Sequence, residues 1–296
     1  MTNLSLLALR QQPAEILVNN YADTTSELFE SATRMESPDI LIIPACNEQA
    51  DLPQMLYSLS HSSRPVIPVV VENGSSEKDR TAEYAERMGA IILRCEPAKM
   101  RATQVGLQFA REHFPKQPIV HFGDADNLYP RICLSAIANA AQKATRRNQG
   151  SGALIFGMGA YDHGASMVVD AMRSGRLLRK AIARKVTGKA PMPYGFNYAL
   201  CMGNNDQLAD AVYALNPLLF VREESEICRA AVASGATVSQ LVSSRAYVLT
   251  RGDLIKTREE WRNFKGASMA TKTAYYKCNY PTVDFEPNSN GREIKP

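Results

Sequence analysis

No apolar run in this chain of 296 residues approaches the roughly 20 needed to cross a bilayer as a helix. That excludes a transmembrane segment of the helical kind. The amino-terminal stretch 4–9 is short, has no basic residues before it and leads into polar sequence, so it does not read as a secretory signal. A cytoplasmic protein is expected. Six cysteines are scattered singly as Cys46, Cys95, Cys133, Cys201, Cys228 and Cys278, with no Cys-x-x-Cys pair. This excludes a zinc ribbon and a disulfide framework, and leaves small buried residues in a reducing compartment. Histidine is scarce: His61, His113, His121 and His163 share no metal-like spacing and read as structural or surface residues. There is one tryptophan, Trp261; it and Tyr275 and Tyr276 read as packing residues. The net charge of +4 is too mild to indicate nucleic acid as a partner. Repeats and low-complexity tracts are absent as well.

What is present is an alternation of two patterns. Residues 39–45, 66–71, 90–93, 118–122 and 153–156 are short runs rich in Ile, Leu, Val and Ala, suited to strands buried on both faces. Between them, Leu52, Met55, Leu56 and Leu59, then Ala82, Tyr84, Ala85 and Met88, then residues 100–114, fall at helical spacing. Pro130 is suited to a helix start. This alternation predicts an α/β fold, with a mostly parallel sheet and helices on both faces. Residues 1–37 read as an extension with some helical character. The tail after Lys277 lacks periodicity and is expected to carry no regular structure.

In such sheets ligands bind beyond the carboxyl ends of the strands. Three polar segments lie there. Pro44-Ala45-Cys46-Asn47-Glu48 follows the first strand, where proline directs the chain out of the sheet. Glu72-Asn73-Gly74-Ser75-Ser76, with Asp79-Arg80-Thr81, follows the second. A carboxylate there can accept a hydrogen bond from a base N–H or a ribose hydroxyl, though a plain turn and helix cap explains the segment equally well. Gly123-Asp124-Ala125-Asp126-Asn127 follows the fourth. Its two carboxylates can converge on one hard cation, with water and phosphate oxygens completing the shell.

The three segments in this order resemble glycosyltransferase family 2 and its relatives with the Rossmann-like GT-A fold. Lys99, Arg101, Ala102, Gln104 and Gly106 resemble the family's basic segment before its Asp-x-Asp metal motif. Residues 194–200, with Gly195 and Asn197, look like its acceptor-side Gly-x-Asn segment. Arg222-Glu223-Glu224-Ser225-Glu226 is similar to the segment that supplies the base, and residues 242–245 to the closing strand. The resemblance covers about residues 38–250, divided into a nucleotide-sugar half, 38–128, and an acceptor half, 129–250. Residues 251–296 form a helix and tail.

The resemblance implies a transferase using a UDP- or GDP-sugar and Mn2+ or Mg2+. It assigns Pro44, Asn47, Glu48, Glu72, Asn73, Lys99, Arg101, Asp124 and Asp126 to the donor, and Asp124 and Asp126 to the metal. Gly195, Asn197 and Glu223 go to the acceptor, and Glu224 is the base for inversion. Glu224 departs from the family's usual aspartate. A late histidine that completes the metal shell in some relatives is missing, so a third protein ligand is unidentified. Three alternatives remain. One is a retaining transferase, which needs no base. Another is a sugar nucleotidyltransferase, against which the glycine-free first loop argues. The third is a non-catalytic nucleotide-sugar binder.

Residues 165–189 predict a basic helix carrying Arg173, Arg176, Arg179, Lys180, Arg184, Lys185 and Lys189. Its plain reading is a solvated face on a packed helix. Its sharper reading is contact with an anion. This would be a membrane surface presenting a lipid-linked acceptor, or a phosphorylated acceptor in solution. The oligomeric state is open.

Overall fold

The computed structural model describes residues 15–19, 34, 38–115, 119–161, 197–201, 206–218, 223–248, 286–287 and 294–295. Among these, eight strands form one sheet. They are β1 (Asp39–Ala45), β2 (Val66–Glu72), β3 (Ile91–Arg94), β4 (Ile119–Gly123), β5 (Asn127–Leu128), β6 (Ala153–Tyr161), β7 (Asn197–Cys201) and β8 (Thr237–Val248). Their order is β3-β2-β1-β4-β7-β6-β8-β5. The half made of β3, β2, β1 and β4 is parallel throughout. Beyond it β7 runs antiparallel to β4 and β6, β8 runs parallel to β6, and β5 runs antiparallel to β8. The expected α/β sheet is therefore present, parallel where the strand runs were clearest and mixed beyond.

Alternation along β1 shows how the core is divided. Leu41 and Ile43 face one layer, Ile40 and Ile42 the other, and all four are fully buried. The first layer holds α1 (Leu52–Leu59), α2 (Thr81–Arg87) and α4 (Cys133–Arg147), through residues such as Leu56, Ala85 and Ile137. The second holds α3 (Lys99–His113), α5 (Gln207–Tyr213) and α6 (Glu223–Ala233), through Leu107, Val212 and Ile227. Each such side chain taken fully out of water contributes roughly 1.5–3 kcal/mol before chain entropy is counted. Cys133 and Cys228 are buried in these layers, as their isolated positions suggested.

Gly106 sets the height of α3 above the sheet. A Cβ there would lie 2.4 Å from Cγ2 of Ile42 and 3.2 Å from Cγ2 of Val71. The absent side chain lets the helix backbone approach β1 and β2 closely, which fixes the position of Lys99 at its first turn.

The helix of residues 15–19 docks on α2. Leu17 and Val18 are fully buried, and Glu15 pairs with Arg80 at 2.7 Å. At the start of β1, buried Asp39 accepts from Arg64 and meets Nε2 of buried His121 at 2.9 Å. Burial raises the Asp39 pKa, but His121 and Arg64 outweigh it and hold it below its ordinary value.

Two details differ from expectation. Helix α4 starts at Cys133, three residues beyond Pro130. In the tail, Glu286–Pro287 and Ile294–Lys295 pair as two short antiparallel strands, β9 and β10. The predicted helix 165–189, His163, Trp261, Tyr275 and Tyr276 lie outside the described residues. No helix among the described residues is long and apolar enough to cross a membrane.

Candidate active site

Parallel strands deliver their following loops to the same edge of the sheet, and here three loops meet. The loops after β1 and β2 are stitched together by main-chain and side-chain bonds. Asn73 N–H donates to Ala45 O at 3.0 Å. Asn47 takes a left-handed conformation, φ 56°, which asparagine tolerates better than most residues. Its N–H donates to Ser75 Oγ at 3.0 Å, and its Oδ1 accepts from Ser76 N–H at 2.9 Å. Glu48 N–H donates to Thr81 Oγ1 at 2.8 Å, while Thr81 N–H donates to Asp79 at 2.9 Å. Asn47 and Thr81 thus brace the loops.

Glu72 is partly committed to its own turn. Its Oε1 accepts from Gly74 and Ser75 N–H, and its Oε2 lies 3.9 Å from Arg94. Gly74 has φ +97°, and a Cβ there would meet the Pro97 ring at 2.5 Å, so glycine is required at this turn. Asn73 is buried, and its Oδ1 has no hydrogen-bond partner among the described residues.

The loop after β4 carries the carboxylates. Lys99, the first residue of α3, places Nζ 2.8 Å from Asp124 Oδ1, 3.1 Å from Glu223 Oε1 and 3.6 Å from Glu224 Oε1. The metal-motif loop and the first turn of α6 therefore meet on one ammonium. Desolvation alone would lower the Lys99 pKa. The pull of Asp124, Glu223 and Glu224 outweighs it and holds the lysine well above its ordinary value. Glu224 is pushed up to about 7, first by burial and then by Glu223 beside it, with Lys99 opposing. Asp126 is raised well above the carboxylate range by burial, then by Asp124, Glu48 and Asp51.

Of the residues expected at the site, Lys99, Asp124, Glu223 and Glu224 come together directly. Glu48 and Asp126 are close enough to repel. Asn197, on β7, stands opposite Gly123 in the ladder, beside the metal-motif loop. Pro44 lies within β1, paired with Val71. Arg101 is paired with Glu96, and Glu226 with Arg229. Gly195 lies outside the described residues.

Two contributors were not read from the sequence. Asp51 adds to the field on Asp126, but its place before an apolar helical run marks it as a helix-start acid. Tyr129 is buried beneath Gly123, and no sequence pattern signals that contact.

The donor set suits a hard cation. Asp124 and Asp126 offer oxygen ligands, and the surplus of carboxylates around Asp126 is what a divalent ion would relieve. No group of three His, Cys, Asp or Glu side chains is arranged to hold a metal among the described residues. Phosphate and water oxygens would complete the shell.

The profile of the family described as Glycosyl transferase family 2 matches residues 40–205, more than half of the chain. The chain belongs to glycosyl transferase family 2. Its α/β sheet is of the GT-A type that membership implies. A 4,4'-diaponeurosporenoate glycosyltransferase of Staphylococcus haemolyticus is 37% identical over 89 residues, 29% of this chain and 23% of that protein. The chain thus matches less than a quarter of that relative's length. S. aureus TarS 1-349 in complex with UDP-GlcNAc aligns over 72% of this chain and 59% of its own, at 14% identity and TM-score 0.49. Mycobacterium tuberculosis glucosyl-3-phosphoglycerate synthase, in complex with Mn2+ and UDP-glucose, aligns over 78% of each chain, at 16% identity and TM-score 0.46.

Proposed function

We propose that this family 2 chain moves a sugar from a UDP- or GDP-sugar to an acceptor hydroxyl, with inversion and with a divalent cation, Mn2+ or Mg2+. The observation that carries this reading is the convergence of Asp124, Lys99, Glu223 and Glu224 at the carboxyl edge of the sheet.

Glu48, Glu72 and Asn73 hold the nucleoside, with Asn47 bracing their loops. Pro44, near the end of β1, borders the same loops. Asp124 and Asp126 hold the cation, which when bound neutralises charge developing on the leaving diphosphate. Lys99 adds positive charge on the same side, and Arg101, paired with Glu96, stands two residues further along α3. Glu224 takes the proton of the acceptor hydroxyl, whose oxygen attacks the anomeric carbon in line as the diphosphate departs. Its pKa of about 7 suits a base working near neutrality. Gly195, Asn197 and Glu223 border the acceptor. The basic residues of segment 165–189 support an anionic acceptor, lipid-linked or soluble, on charge alone.

Glu224→Gln tests the base. The amide is close in shape but cannot accept the proton. Turnover should fall by about 10²–10⁴ with donor affinity kept. Unchanged turnover, with NMR showing retained anomeric configuration in the product, would replace inversion by retention.

A further inference from the structure

Two groups of carboxylates meet here: Asp126 feels Asp124, Glu48 and Asp51, and Glu224 feels Glu223 and Asp124. Lys99 is the cation common to both of their clusters. Its closest partner is Asp124 Oδ1, an oxygen of the pair that would hold the metal. A divalent ion bound at that carboxylate would sit within a few ångströms of an ammonium already bonded to it. In a partly water-excluded site, two positive ions at one carboxylate oxygen repel strongly at such short range, whatever the charge further off, and a diphosphate placed beside both would offset this.

We propose that the Lys99 ammonium and a divalent cation are alternative partners of Asp124, so that Lys99 keeps the metal weakly bound until the donor diphosphate arrives. This rests on the metal-dependent reading above. Glu223 and Glu224, at 3.1 and 3.6 Å, give the ammonium other acceptors within the same site. Leaving Asp124 therefore takes a small swing of Nζ, not an exit to solvent. The diphosphate brings the negative charge that lets both cations stay. Lys99 is in this sense a positioning residue, making metal and nucleotide bind together.

The test measures Mn2+ binding by the electron paramagnetic resonance signal of the free ion, with full-length protein, without nucleotide and with UDP or GDP. Lys99→Met and Lys99→Gln should bind Mn2+ at least tenfold more tightly than wild type without nucleotide. Lys99→Arg, which keeps the charge, should stay at the wild-type value. Adding Asp126→Ala to Lys99→Met should remove the gain. A purely structural lysine would give the opposite sign, since a disordered site binds metal more weakly. Lys99→Gln guards against misfolding of Lys99→Met, and melting curves with and without Mn2+ give a second readout. Neutral variants that bind Mn2+ no more tightly than wild type, while UDP or GDP still promotes Mn2+ binding, would overturn the competition and leave the metal reading standing. No Mn2+ binding by any of the proteins, with or without either nucleotide, would overturn both.

Discussion

Replacing Gly123 by alanine puts one methyl group into the most crowded point beneath the metal-motif loop. The new Cβ would lie 1.8 Å from Tyr129 Oη and 3.0 Å from its Cζ, far inside the 3.4 Å at which ordinary contact begins. Tyr129 cannot yield easily, because its ring is buried in the layer that holds Cys133, Leu134 and Ile137. Overpacking typically costs 1–3 kcal/mol, and the depth of this overlap argues for about 3. For a chain of this size that lowers the melting temperature by about 5 °C. Tyr129→Phe should relieve most of it, because the atom in collision is the hydroxyl. That hydroxyl has no well-formed hydrogen bond among the described residues, so removing it alone should be nearly neutral. The double variant should recover about 2 kcal/mol relative to the sum of the singles, read from thermal or urea unfolding of the four proteins. Gly123 immediately precedes Asp124, so donor turnover should fall and recover in parallel. Wild-type melting of Gly123→Ala, or no rescue by Tyr129→Phe, would refute the packing described.

Other expectations follow from the charged groups. The rate should rise with pH through about 7, because only the ionised form of Glu224 can accept a proton; a pH profile of kcat/KM in the wild type checks this. The same raised pKa means that Glu224 favours the fold at low pH, and that this contribution is lost as pH rises from its ordinary 4.5 through about 7. Glu224→Gln should therefore gain stability relative to wild type above pH 7, on the order of 1–3 kcal/mol, measured by urea unfolding at pH 5 and pH 8. Asp39→Asn should lose about 3–5 kcal/mol at pH 7, because it leaves His121 and Arg64 without their anionic partner. Asp39 is held below its ordinary 3.8, so its contribution is present above that pH and lost as pH falls through the folded value. The gap between variant and wild type should narrow under acid.

The parallel half of the fold was legible because its strands are buried on both faces. Ile40 to Ile43 leave no alternative to a central strand, and the loops that follow such strands collect the polar residues. The position of the loop that carries Asp124 and Asp126 could be read for the same reason. The roles of single residues were less legible. Asn47 and Thr81 looked like ligand contacts or caps, and the structure shows them tying two loops together. A sequence does not show which acceptor a side chain has already found. The sequence marks Lys99 as a charge for the donor; its three carboxylate partners come from the loop after β4 and from α6, the latter more than 120 positions along the chain. That clustering depends on the sheet order and on the close approach allowed by Gly106. Strand β7 carries only five residues, four of them apolar, too short a run to show its direction, so the switch to antiparallel pairing left no pattern to read.

The most direct measurement is release of nucleoside diphosphate from UDP- and GDP-sugars, with Mn2+ or with excess chelator. The account predicts release with Mn2+ from one donor class, none in chelator, and none from a folded Asp126→Ala protein, whose remaining carboxylate cannot hold the cation against the diphosphate. Full release in chelator, or by Asp126→Ala, would contradict it.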